Sequence, residues 1–71
     1  MSDVLLELTD NELEVLRGMS RGELQSSIAR RIGLSESRVD QLVASIKMKF
    51  DAPTQTAAVA RAVKKGLVDP E

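Results

Sequence analysis

Between Arg21 and Phe50 the chain gathers side chains suited to hydrogen bonding and charge: Arg30, Arg31, Ser35, Ser37, Arg38, Asp40, Gln41, Ser45, Lys47 and Lys49. Covalent chemistry is poorly supplied. The 71 residues include no His, Cys, Tyr or Trp, so a nucleophile would have to be Ser activated by Lys. No spacing suggests such a pair, or two carboxylates working together. The serines read instead as helix caps and surface residues. The missing Cys and His also exclude disulfides and ordinary zinc sites. One aromatic, Phe50, gives no stacking platform for single-stranded nucleic acid. The chain is therefore expected to be no enzyme and to hold no metal or cofactor. What is left is recognition through a polar helix face.

Four helices are expected to position that face. Thr9 with Glu12 three residues later forms a capping box, Leu8 and Leu13 sit at the staple positions, and Val15, Leu16 and Met19 continue the apolar stripe. This first helix is predicted over about 10–19. A second, over about 24–32, carries Leu24, Ile28 and Ile32 every four residues with Ala29 beside them, and Gly33 stops it. Arg30 and Arg31 fill its last turn, where cations suit the helix dipole and could equally meet phosphate. Ser35 caps a third helix over about 36–50, whose inward stripe is Val39, Leu42, Val43, Ile46 and Phe50. The opposite side shows Ser37, Asp40, Gln41, Ala44, Ser45 and Met48, flanked by Arg38, Lys47 and Lys49. Pro53 biases Ala52 away from helical geometry and breaks the chain there. Thr54 then caps a fourth helix to about 65, rich in small residues and ended by Gly66. The fold class is all-α, a single domain over 1–71. Two helices joined by a tight turn containing Gly, at residues 24–50, have the pattern of a helix-turn-helix, whose second helix enters the major groove of DNA.

Charge and size qualify this reading. The net charge is −1, unpromising for a partner of nucleic acid, but it is unevenly spread. Residues 1–23 carry a net −4 and residues 24–68 a net +5, as an electrostatic footprint confined to one part of a domain would. A single core of this size supplies only a few kcal/mol, and with disulfides and metals excluded, pairing with a second copy is the support that remains. No apolar run approaches a membrane span and no signal-peptide pattern opens the chain. The absence of Cys fits a reducing cytoplasm.

The order of residues resembles the LuxR/GerE-type helix-turn-helix domain, found also in FixJ/NarL response regulators. The resemblance is carried by Leu8-Thr9, Glu12, Glu14-Val15-Leu16, Ile28-Ala29, Ile32-Gly33-Leu34-Ser35-Glu36 and Val39. It continues through Thr56, Ala58-Val59-Ala60, Ala62 and Gly66-Leu67-Val68. It spans residues 7–68 without a gap. It implies a four-helix domain that binds double-stranded DNA and dimerises through its fourth helix on a two-fold-related site. The length leaves no room for a receiver or ligand-binding domain, so a stand-alone member is expected.

Departures from the family pattern fall on the DNA side. The family usually has Lys at the position of Asp40, often His at Leu42, and commonly Lys or Arg at Ala44. Its frequent Asn-Lys-Glu at the start of the second helix is Gln25-Ser26-Ser27 here. The positions most used against bases thus hold Asp40, Gln41 and Ala44. Gln can pair with an adenine edge, Asp can accept from cytosine N4, and Ala can touch a thymine methyl. The expected DNA-binding set is Ser35, Ser37, Arg38, Asp40, Gln41, Ala44, Ser45, Lys47 and Lys49, with Gln41 the main base reader. The expected dimer face is Ala58, Val59, Ala62, Val63 and Gly66. A second function class stays open: an adaptor or inhibitor on the same scaffold, pairing with a related regulator or with polymerase. Asp40 and the low isoelectric point favour it.

Overall fold

The computed structural model of the chain describes residues 7–69. The remaining ends of the expected domain, 1–6 and 70–71, lie outside the described residues. Four helices follow one another: α1 Asp10–Ser20, α2 Gln25–Ile32, α3 Glu36–Lys49 and α4 Gln55–Lys64. Each lies within a residue or so of its expected bounds, because the caps that the sequence advertises are made. Thr9 Oγ1 accepts from the Glu12 N–H at 3.1 Å while the Thr9 N–H donates to Glu12 Oε1 at 2.9 Å, completing the capping box. Ser35 and Thr54 likewise accept from the N–H groups of Arg38 and Ala57.

The second helix departs from its expected packing. Leu24, read as a core residue, is 71% exposed. It is the N-cap of α2, with extended φ −71° and ψ 150°, so its side chain falls off the helical rotation that buries Ile28. It also offers no oxygen, and α2 is the helix without a side-chain cap.

Packing centres on α3. Val39 and Ile46 are fully enclosed, Leu42, Val43 and Phe50 nearly so, and they meet Val15, Leu16 and Met19 of α1 and Ile28 and Ala29 of α2. Leu42 therefore belongs to the core and not to the polar face. Gly18 lets α1 and α2 approach closely: a Cβ there would lie 2.7 Å from Ile28 Cγ1. Ala58 and Ala62 of α4 are fully buried against the same core, which Val68 helps to close.

The turn between α2 and α3 is fixed by Gly33, whose φ of 76° and ψ of 30° suit a residue without Cβ. The Leu34 N–H returns to the Ala29 carbonyl at 2.9 Å, closing a Schellman motif. α3 ends the same way with Asp51 at φ 53° in the left-handed position. The Ala52 N–H bonds Lys47 O at 2.9 Å. Arg61 of α4 donates to the Phe50 and Asp51 carbonyls, holding the α3–α4 corner shut.

Candidate nucleic-acid interface

With the stripe of α3 buried, the helix presents Ser37, Arg38, Asp40, Gln41, Ala44 and Met48 outward, all exposed. Met48 is 76% exposed. Arg38 Nη1 donates to Gln41 Oε1 at 3.0 Å, as neighbours three apart on a helix surface can. Ser35 stands at the N-terminal edge of this face with its Oγ engaged as the cap. Lys47 is half-buried at the C-terminal edge. Among the described residues, Asp40 and Lys47 form no ion pair.

Two expected members of the face are turned inward. Ser45 Oγ donates to Glu12 Oε2 at 2.5 Å, and Lys49 Nζ donates to Glu12 Oε1 at 2.6 Å and to the Glu7 carbonyl at 2.9 Å. Both are half-buried. The cause is rotational: positions 45 and 49 are four apart, and they border the buried stripe on the side that faces α1. Glu12 is only 3% exposed. Burial pushes its carboxyl up, but the bonds from Lys49, Ser45 and the Thr9 N–H together outweigh that and hold it below its ordinary value. Sequence reading had given Glu12 one role, the cap. Its other partners, Ser45 on Oε2 and Lys49 on the capping oxygen Oε1, lie more than thirty residues away, where no local spacing could signal them.

The uneven charge along the chain is partly cancelled in space. Arg31 bonds Glu14 at 3.2 Å and Glu23 at 2.9 Å, and Arg17 bonds Glu14 at 2.9 Å. Arg31 donating to Glu14 holds that carboxyl low, and the guanidinium is held correspondingly high by Glu23 and Glu14. These exposed pairs add little stability, and α2 is linked to α1 by the one that Glu14 makes with Arg31. Arg30, its neighbour, is exposed. Among the described residues of α2 and α3, the cations without an ion pair are therefore Arg30, Arg38 and Lys47, and Glu36 and Asp40 are exposed acids of α3.

On α4 the expected face also needs redrawing. Ala58 and Ala62 are 0% exposed and fill the domain's own core, so they offer no surface to a second copy. Val59 and Val63 are half-buried against that core, while Thr56, Ala60 and Gly66 are exposed. A shallow groove runs beside them, lined by Met19, Ser20, Gln55, Thr56, Val59, Ala60 and Val63. Thr56 and Ala60, which sequence reading left out, follow from Ala58 and Ala62 once these point inward: residues two before each lie on the far side of the helix.

A tri-residue turn between two helices, the second with one stripe buried and one polar face outward, defines a helix-turn-helix protein. The chain belongs to the luxR family of bacterial regulatory proteins, which matches residues 6–62. Membership in a family of regulators agrees with its reading as a non-enzyme.

Among curated proteins it is similar to the transcriptional regulatory protein YdfI of Bacillus subtilis, 36% identical over 62 residues, covering 87% of this chain and 29% of that protein. It is 38% identical over 61 residues to the HTH-type quorum-sensing regulator RhlR of Pseudomonas aeruginosa, covering 86% of this chain and 25% of that protein. An uncharacterized transcriptional regulatory protein of Bacillus subtilis, YxjL, is 40% identical over 60 residues, 84% of this chain and 28% of that protein. The chain thus spans less than a third of the length of these relatives. Among the described residues no helix is long and apolar enough to cross a membrane.

Proposed function

We propose that this chain is the DNA-binding unit of a transcription regulator, acting in the cytoplasm as a homodimer on double-stranded DNA. α3 lies in the major groove with Gln41 on a base edge, Ala44 and Asp40 beside it, and Ser37, Arg38, Lys47 and Arg30 toward the backbone. The observation that carries this reading is the free polar face of α3 in a chain of the luxR family. Two copies meet through Thr56, Val59, Ala60 and Val63 of α4, with Gly66 at the end of that face. This sets the two α3 helices about one DNA turn, ~34 Å, apart on a near-palindromic site.

Three cations per protomer imply a log–log salt slope of about −5 for the dimer. Fluorescence anisotropy of a labelled duplex at two salt concentrations tests this. Binding with such a slope supports the reading, and no binding at about 50 mM salt sinks it.

A second reading rests on the near-neutral outward face of α3 and the exposure of Met48 at 76% and Leu24 at 71%. On it, the same scaffold pairs with a related regulator or with polymerase, and Asp40 repels phosphate. In the same assay such a chain leaves duplex DNA unbound, and on a size-exclusion column it comigrates with the DNA-binding domain of a relative.

A further inference from the structure

We infer that Arg38 sets the base preference of Gln41, turning a side chain that would ordinarily select adenine into one that selects guanine. This rests on the reading above that α3 enters the major groove. The geometry is the 3.0 Å bond from Arg38 Nη1 to Gln41 Oε1, between two exposed side chains on one face. A guanidinium nitrogen only donates, and so does an amide nitrogen, so the amide oxygen of Gln41 must be the atom that faces Arg38. The orientation of the amide, ordinarily ambiguous, is therefore fixed by chemistry.

Adenine shows an acceptor, N7, beside a donor, its N6 amino group. Gln matches that edge only by offering both its NH2 group and its oxygen. In this protein the oxygen already accepts from Arg38. A second bond to N6 would share that oxygen and set a partly positive amino group beside a full positive charge. Guanine shows two acceptors, N7 and O6. The Gln41 NH2 group, turned outward by the bond its oxygen makes to Arg38, donates to these acceptors, and the nearby charge of Arg38 attracts O6. The pair thus matches guanine as a unit, and neither residue needs to leave the other on binding. Arg38 is a positioning residue in this arrangement as well as a source of charge.

The test is selection from a randomised duplex pool by the wild type, Gln41→Ala, Arg38→Ala and Arg38→Lys, each selected site then being measured with all four bases at the sensitive position. The position that loses its preference in Gln41→Ala identifies the base read by Gln41. The wild type is expected to favour guanine there by about tenfold. Arg38→Ala is expected to turn that preference to adenine, while Arg38→Lys, which still donates to the oxygen, keeps guanine. Simple loss of a phosphate contact would weaken all four bases equally and leave their order unchanged.

Adenine favoured by the wild type, or guanine still favoured by Arg38→Ala, would overturn the coupling while leaving DNA reading by α3 intact. Enrichment of no sequence by the wild type would overturn both. A second readout needs no DNA. The side-chain amide signal of Gln41 in the free protein should shift in Arg38→Ala and return toward its wild-type position in Arg38→Lys, and an unmoved signal would also defeat the inference.

Discussion

Lys49 Nζ sits 2.6 Å from Oε1 of Glu12, a carboxylate only 3% exposed, and this pair ties the end of α3 to the start of α1. The folded carboxyl lies below its ordinary value of 4.5. A depressed folded value means that the unfolded chain takes up the proton first as pH falls. The contribution is therefore complete above about pH 4.5 and is lost as pH drops through the lower folded value. Urea melts between pH 7 and 3 should show stability falling in that acid window. Glu12→Gln should be less stable at pH 7 by about 1–3 kcal/mol and show a weaker acid dependence. A mutant with the wild type's full acid slope would assign that slope to other carboxylates.

Two lysines separated by one residue should behave oppositely. Lys49 is engaged with Glu12 and the Glu7 carbonyl, whereas Lys47 forms no ion pair among the described residues and borders the outward face. Lys49→Ala is expected to lower the melting temperature and leave DNA affinity close to that of the wild type under conditions where both are folded. Lys47→Ala should leave the melt nearly unchanged, weaken binding to all sequences alike and reduce the salt slope by about 1 per protomer. Melting curves alongside anisotropy titrations read both effects. The reverse pattern would mean that α3 meets DNA through its α1 side.

Helix boundaries, caps and the inward stripe were legible because each depends on residues within one or two turns of one another. Thr9, Ser35 and Thr54 announce helix starts, and Val39, Leu42, Val43 and Ile46 mark one face whatever lies against it. The site was less legible where its membership depends on distant partners. Nothing near Ser45 or Lys49 in sequence signals Glu12, and their polar types placed them with Gln41. The same limit applied to α4, where Ala58, Ala62, Val59 and Val63 read as one apolar patch. Only packing against α3 and α1 separates the two enclosed alanines from the half-buried valines. Leu24 failed for a third reason: its fourfold spacing is correct for a helix that begins one residue after it.

Gly18→Ala should destabilise the domain even though Ala is the better helix former by about 1 kcal/mol. The new Cβ would stand 2.7 and 2.8 Å from Cγ1 and Cδ1 of Ile28 and 2.9 Å from Glu23 Oε1. Glu23 can swing away, but Ile28 is fully enclosed and has nowhere to move. Overpacking of this kind costs about 1–3 kcal/mol, which exceeds the gain in propensity at most of that range. Chemical denaturation measures the difference, and a stabilised Gly18→Ala would show that α1 and α2 can separate without loss.

Dimerisation through α4 is best tested at Ala60. Its side chain is exposed, beside the groove formed with Met19 and Ser20 of α1, and the domain's own core does not use it. Ala62, by contrast, is fully buried, and Glu there would bring an unpaired charge into the core. Such a change costs several kcal/mol, so Ala62→Glu should unfold a domain this small and would report nothing about pairing. Ala60→Glu should leave the monomer folded, with a melt within about 0.5 kcal/mol of the wild type at concentrations where both are monomeric. In a dimer related by a two-fold axis the new carboxylates would approach one another across a desolvated apolar face. Sedimentation velocity over a range of concentrations, with and without a palindromic duplex, should show wild-type dimers and Ala60→Glu monomers. The variant should also bind a two-half-site duplex no more tightly than a single half-site, because the gain from joining two weak contacts is lost. A wild type that stays monomeric both free and on DNA would remove α4 as the pairing surface, and a dimeric Ala60→Glu would place the contact elsewhere on the domain.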